Sequence, residues 1–198
     1  MAIKVANNNS LSAITSLPAA ITGGAMTLLS TQTASSSSTI SFTSGIDSTY
    51  KEYIFKFIDV HPASASHFEF NGSIDGGSNY NVTKTTTAVQ STHYEDDSSA
   101  TLGYIASQDL AQSTSDKQLA RNMGNDNDSC VAGYLHLYDP SNTNFVKHFI
   151  SRCNVHSTYS SDNFTAGYLN TISAVNAVKF EMASGNIDAG TFKLYGIL

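Results

Sequence analysis

Two histidines, His136 and His148, and two cysteines, Cys130 and Cys153, fall on the two arms of one expected hairpin around Asp139-Pro140-Ser141-Asn142. Imidazole and thiolate are the common zinc ligands, so this is the first place to look for metal chemistry. In an unbulged antiparallel pair, opposite residues have a constant index sum. An even sum puts the two histidines on one face, whereas only an odd sum sets Cys130 opposite Cys153. A three-residue loop with a left-handed Asn142 gives the even sum and a four-residue loop the odd one, and the sequence does not choose. Zinc normally takes three or four protein ligands and no third is in view, so the histidines are expected to be unliganded and the cysteines to be buried thiols.

A second oxygen-rich candidate is Gly124-Asn125-Asp126-Asn127-Asp128-Ser129, in which Asp126 and Asp128 have the spacing of a calcium loop. The downstream glycine and glutamate of such a loop are missing, which favours a solvated turn. Glu52, Glu69, Glu95 and Glu181 are the only glutamates. Glu69 and Glu181 sit between strand residues, where alternation turns a lone carboxylate to water, so they are not read as a glycosidase pair. No Gly-x-Ser-x-Gly elbow, phosphate loop, dinucleotide fingerprint or His-Glu-x-x-His run occurs. The expectation is a protein that is not an enzyme and has no obligatory cofactor.

The elements that would position these residues are strands. Serine and threonine supply 49 of the 198 residues and asparagine 16, side chains that compete for backbone hydrogen bonds and prefer strands and turns to helix surfaces. From Thr39 onward short alternating runs are broken by turn chemistry such as Asn71-Gly72 and Gly76-Gly77. About ten strands are expected. Tyr50 to Val60 is the strongest, with Tyr53, Phe55 and Phe57 on one face and Ile54, Ile58 and Val60 on the other. The core candidates are Phe55, Phe57, Ile58, Phe70, Leu135, Leu137, Phe149, Phe180, Phe192 and Leu194. The fold class is all-β, an antiparallel two-sheet jelly-roll sandwich with an extended N-terminal arm.

Residues 1–38 are read as that arm and 39–198 as the sandwich. Lys4 is the only formal charge before Asp47, and the block thins into Thr33-Ala34-Ser35-Ser36-Ser37-Ser38, a flexible linker by composition. A strip so poor in charge can lie on a partner without desolvating ions, and Ile3, Val5, Leu11, Ile14, Leu17 and Ile21 are its candidate anchors. The competing expectation is an arm that folds back on its own domain as an edge strand.

Charge narrows the partners. Ten basic residues against 16 acidic give a net charge of −6, and Arg121 and Arg152 are the only arginines, so no basic face for nucleic acid is expected. No apolar run approaches the ~18 residues of a membrane span, and Ser, Thr, Pro and Gly interrupt any signal-peptide core, so neither membrane nor export is expected. Two cysteines without a C-x-x-C pair fit folding in the cytoplasm.

The run Thr171-Ile172-Ser173-Ala174-Val175-Asn176-Ala177-Val178-Lys179-Phe180, followed by Ser184-Gly185-Asn186-Ile187-Asp188-Ala189-Gly190-Thr191-Phe192-Lys193-Leu194-Tyr195-Gly196-Ile197, resembles the C-terminal ending of a family of virion structural proteins from tailed bacteriophages, especially those of aquatic bacteria. The segments Ser44 to Tyr53 and Leu135 to Ser141 resemble the same family, so the likeness covers about residues 40 to 198 and leaves the arm outside it. It carries no catalytic signature. The resemblance implies a jelly roll with a place in the virion, assembled in the host cytoplasm and partnered by capsid or tail subunits. The leading expectation is a head decoration or cement protein fastened by its arm, as a homo-oligomer such as a trimer. The alternative is a tail fibre, tail adaptor or receptor-binding protein whose jelly roll binds a host surface glycan through Tyr80, Tyr94, Tyr104 or Tyr159. The lack of tryptophan counts against that alternative.

Overall fold

The computed structural model describes residues 25–198. The six arm candidates Ile3, Val5, Leu11, Ile14, Leu17 and Ile21 lie outside the described residues. The strands are β1 (Met26–Ser37), β2 (Thr39–Phe42), β3 (Glu52–Pro62), β4 (Ser66–Ser73), β5 (Lys84–Tyr94), β6 (Ala100–Tyr104), β7 (Lys117–Met123), β8 (Cys130–Tyr138), β9 (Lys147–His156), β10 (Tyr159–Leu169), β11 (Ala177–Met182) and β12 (Ile187–Ile197), with one short 3-10 turn at Ala106–Gln108.

They form two antiparallel sheets packed as a sandwich. The large sheet runs β1-β12-β3-β8-β9-β10-β5-β6 and the small one β2-β11-β4-β7. The pairs β3–β12, β4–β11 and β5–β10 nest one inside the next and lie in the large, small and large sheet in turn. A long antiparallel ribbon rolled across two sheets has this pattern, which is the jelly-roll path the sequence predicts. Insertion of the β8–β9 hairpin between β3 and β10 widens the large sheet.

Phenylalanines join the two layers. Phe180 of β11 lies 4.9 Å from Phe57, 5.3 Å from Phe55 and 5.8 Å from Phe68 by ring centroids, mostly in edge-to-face contact. Phe42, Phe70 and Phe192 complete its surroundings. Nine of the ten predicted core residues are buried, and Ile58 is the exception at 39% exposure. The register between β3 and β8 shifts between Phe57 and Val60, and Asp59 adopts φ 52°. A bulge of this kind breaks strict alternation. Ile58 keeps the alternation and faces outward, on the side opposite Phe57, while the bulge brings Val60 to the same interior as Phe55 and Phe57, opposite to the face expected for it.

The segment read as linker is a strand. β1 pairs with β12 from Met26 opposite Ile197 to Ser37 opposite Ile187, and Ala34 is buried. Asn186 donates to the Ser36 carbonyl at 2.9 Å, the Ser36 hydroxyl donates to Asp188 at 3.0 Å, and Gln32 reaches the Ser41 carbonyl at 2.8 Å. The open edge of β12 satisfies the backbone of any strand-compatible segment laid on it, and Ser and Thr are compatible. Residues 26–38 therefore belong to the sandwich, and a boundary at 38/39 does not hold.

The β8–β9 hairpin settles the parity question left open by sequence. Cys130 lies opposite His156, Gly133 opposite Cys153 and His136 opposite Ile150, an even register with residues 139–146 as the connection. His136 and His148 share the outward face. The thiols are free and do not oppose one another.

Candidate functional site

The inward face of β5 reads Lys84, Thr86, Ala88, Gln90, Thr92, Tyr94, and its burial fades along that order. β7, the last strand of the small sheet, lies over β9 and β10, and its Asn122 end reaches the Tyr94 end of β5. Polar side chains tile the floor there. Gln90 donates to Ser161 at 2.8 Å and to Asn163 at 3.2 Å, and Thr92 donates to Ser161 at 3.3 Å. Each of these residues is fixed by its neighbour, so the floor is set before anything binds.

Two rings stand at the end of this floor. Tyr94 and Tyr159 are directly opposite in the β5–β10 register, with centroids 5.3 Å apart and planes inclined at 57°. Tyr159 donates its hydroxyl to the Asn122 carbonyl at 2.5 Å, which ties β10 to the end of β7. Asn122 has φ 51°, in the left-handed region that Asn tolerates better than most residues, and its N–H donates to His67 Nδ1 at 3.0 Å. Burial holds the His67 imidazole below its ordinary pKa, with the Arg121 charge adding to it, which suits a neutral acceptor nitrogen.

Tyr94, Tyr159, Asn122, Gln90, Thr92, Ser99 and Thr101 enclose a cleft of about 250 Å³. A second hollow of about 390 Å³ adjoins it at Asn122 and is lined by Ser66, His67, Gly124, Ser157 and Ser184 among others. The Tyr94 hydroxyl, the Thr101 hydroxyl and the Asn122 amide make no hydrogen bond among the described residues. The cleft thus offers an aromatic wall, a fixed polar floor and free donors and acceptors at its mouth. Such an arrangement can hold a small polar ligand.

The other predicted residues lie elsewhere. Asp126 and Asp128 are exposed in a turn closed by Ser129 N–H to the Asp126 carbonyl at 2.8 Å, and the Asp128 carbonyl meets His156 Nδ1 at 2.9 Å. Among the described residues no three His, Cys, Asp or Glu side chains are grouped as metal ligands. His136 bonds Glu52 and packs edge-on against Tyr134 at 5.0 Å, while His148 packs edge-on against Tyr168 at 6.0 Å. Glu69 and Glu181 are directly opposite across β4 and β11 and are only partly exposed, unlike the solvated carboxylates expected. Lys179 sits 2.5 Å from Glu181 and 3.4 Å from Asp116, under the Tyr80 ring, and burial raises the Glu69 pKa. Of the four tyrosines named from sequence, Tyr94 and Tyr159 come together, Tyr104 lies on the opposite, outer face and Tyr80 covers Lys179.

That outer face carries an exposed apolar patch at its β6 edge. Val89 lies between Phe164 and Tyr104 in register, next to Leu102, which is 78% exposed. At the far end of the sandwich, the connections 43–51, 139–146 and 170–176 meet. Asp139 N–H donates to the Lys51 carbonyl at 2.6 Å, Lys51 Nζ lies 3.0 Å from the Asp139 carboxylate, and Val175 N–H donates to the Pro140 carbonyl at 2.8 Å. Compared with protein-family models, with curated proteins and with solved structures, the chain matches none.

Proposed function

We propose that the chain is a non-enzymatic structural component of a tailed-phage virion, a head decoration or cement protein fastened to the capsid by residues that precede β1. The observation that carries this reading is the meeting of the three segments that resemble phage virion proteins. Ser44 to Tyr53, Leu135 to Ser141 and Thr171 to Ile197 are far apart in sequence, yet Asp139 bonds Lys51 and Val175 bonds Pro140. A likeness confined to unrelated surface loops would have no reason to converge; a likeness to one folded unit does. The Val89, Leu102, Tyr104 and Phe164 patch adds a surface that a neighbouring subunit would cover.

The second reading, a tail fibre, tail adaptor or receptor-binding protein, is favoured by the Tyr94–Tyr159 cleft. A particle reconstruction distinguishes them. Density for the sandwich on the capsid lattice supports the first reading, density on the tail the second, and absence of the chain from purified particles overturns both.

A further inference from the structure

We propose that the cleft between Tyr94 and Tyr159 binds an uncharged hexopyranose unit of a glycan. A pyranose ring combines an apolar C–H face with a rim of hydroxyls that both donate and accept. The cleft matches each part: two tyrosine rings 5.3 Å apart form the wall, and the Asn122 amide and the Thr101 hydroxyl at the mouth have no hydrogen-bond partner among the described residues. An amide is suited to vicinal hydroxyls because it presents a donor and an acceptor side by side.

Size and charge narrow the ligand. A volume of about 250 Å³ lies just below the range of drug-sized pockets, which fits a single ring. The adjoining hollow of about 390 Å³, which shares Asn122, gives room for the next unit along a chain. Neither hollow is lined by Lys or Arg; the Arg121 charge reaches His67 and Tyr159 from outside the lining, and Glu95 and Asp97 also stand nearby, paired with His156 and His93 at 3.1 Å each. A phosphate or nucleotide would be poorly held there. The site is also preorganised: the floor network, the Tyr159–Asn122 bond and the Asn122–His67 bond hold the lining in place before binding, which lowers the ordering cost. Particle maps test the place of the chain in a virion and solution binding tests this site, so either can fail alone.

The test is titration of the ¹⁵N-labelled chain with D-glucose, D-galactose and N-acetyl-D-glucosamine, followed by amide chemical shifts. At least one sugar should give saturable shifts centred on Tyr94, Thr101, Asn122 and Tyr159. Tyr94→Ala, at an exposed position, should weaken that binding by about tenfold with the fold intact. Asn122→Gly, which keeps the left-handed backbone, should weaken it by about threefold. Tyr104→Ala, on the opposite face, should leave it unchanged. The proposal is overturned if none of the three sugars gives saturable shifts, or if Tyr94→Ala binds as well as the parent. Tighter binding of N-acetylneuraminic acid or uridine monophosphate at the same amides overturns it too.

Discussion

Lys84 donates its ammonium to the Ser115 carbonyl at 2.7 Å with none of its surface open to solvent. Lys117 does the same toward the Gln108 carbonyl at 2.7 Å, and Lys147 toward Phe145 and Thr171 at 2.8 and 3.0 Å. None of the three has a carboxylate within salt-bridge reach among the described residues. Backbone carbonyls take the place of counter-ions, and the first two lysines thereby pin the 105–116 crossover to the end of the sandwich.

This arrangement has a pH signature. Burial pushes Lys84 and Lys117 down to about 8, against 10.5 for a free lysine. Between those pH values the unfolded chain holds protons that the folded chain has released, so raising the pH favours folding. These two groups should therefore make the protein gain stability between about pH 8 and pH 10.5, on the order of 2 kcal/mol for each. The check is urea unfolding of the parent and a Lys84→Met/Lys117→Met variant at pH 7.5 and pH 10. The parent should gain on the variant at the higher pH, and an unchanged difference would show that the lysines keep their ordinary pKa.

No feature of the sequence marks these cages. Lysine is among the residues least often buried, and nothing in Lys84-Thr85-Thr86-Thr87 marks its first position as interior. The two-sheet path and nine core residues were legible because alternation and turn residues report the sheet faces directly, whereas of the two thiols expected to be buried Cys153 is and Cys130 is only half-buried. Ile58 alternates with Phe57 onto the outer face of β3, where Ile54 is covered and Ile58 is not, and apolar type alone does not separate the two; the bulge that brings Val60 inward likewise has no sequence mark. Ser35 to Ser38 read as linker because composition alone does not distinguish a soluble strip from a strand supplied with a free edge. The cleft was half legible: Tyr94 and Tyr159 stood out singly, but their meeting depends on the β5–β10 register across 64 intervening positions.

The two thiols should differ in reactivity. Burial pushes Cys153 up to about 12, and it raises Cys130 as well, with Asp59 and Asp128 adding to the effect. Cys153 is completely enclosed, whereas Cys130 is partly open. Iodoacetamide at pH 8 should label Cys130 slowly and Cys153 only after unfolding, since the thiolate is the reacting form. Peptide mapping by mass spectrometry checks the order; early labelling of Cys153 would mean that the β8–β9 layer opens in the native state.

Phe180 and Ile58 were both expected in the core and should respond oppositely. Phe180→Ala empties the contact point of six other phenylalanines and should cost about 3–5 kcal/mol. Ile58→Ala trims an outward side chain at the bulge and should stay within about 1 kcal/mol. Chemical denaturation of both variants measures the contrast. A cost at Ile58 as large as at Phe180 would place it back in the interior.

Two N-terminal deletions separate attachment from folding. Removing residues 2–24 leaves β1 whole, so the truncated chain should stay soluble with a melting temperature within about 3 °C of the parent. Removing residues 2–37 strips β1 and exposes the β12 backbone, whose ladder with β1 extends from Ile187 to Ile197. It also opens the core at Ala34 and Leu29. An unpaired strand of that length is a template for self-association, so the longer deletion should lose several kcal/mol and aggregate. Melting and light scattering read the two outcomes, and particle incorporation of the shorter deletion then reports on attachment alone. If the shorter deletion folds as well as the parent and still enters particles, the sandwich itself carries the contact, and the apolar patch around Leu102 and Phe164 becomes the surface to mutate next.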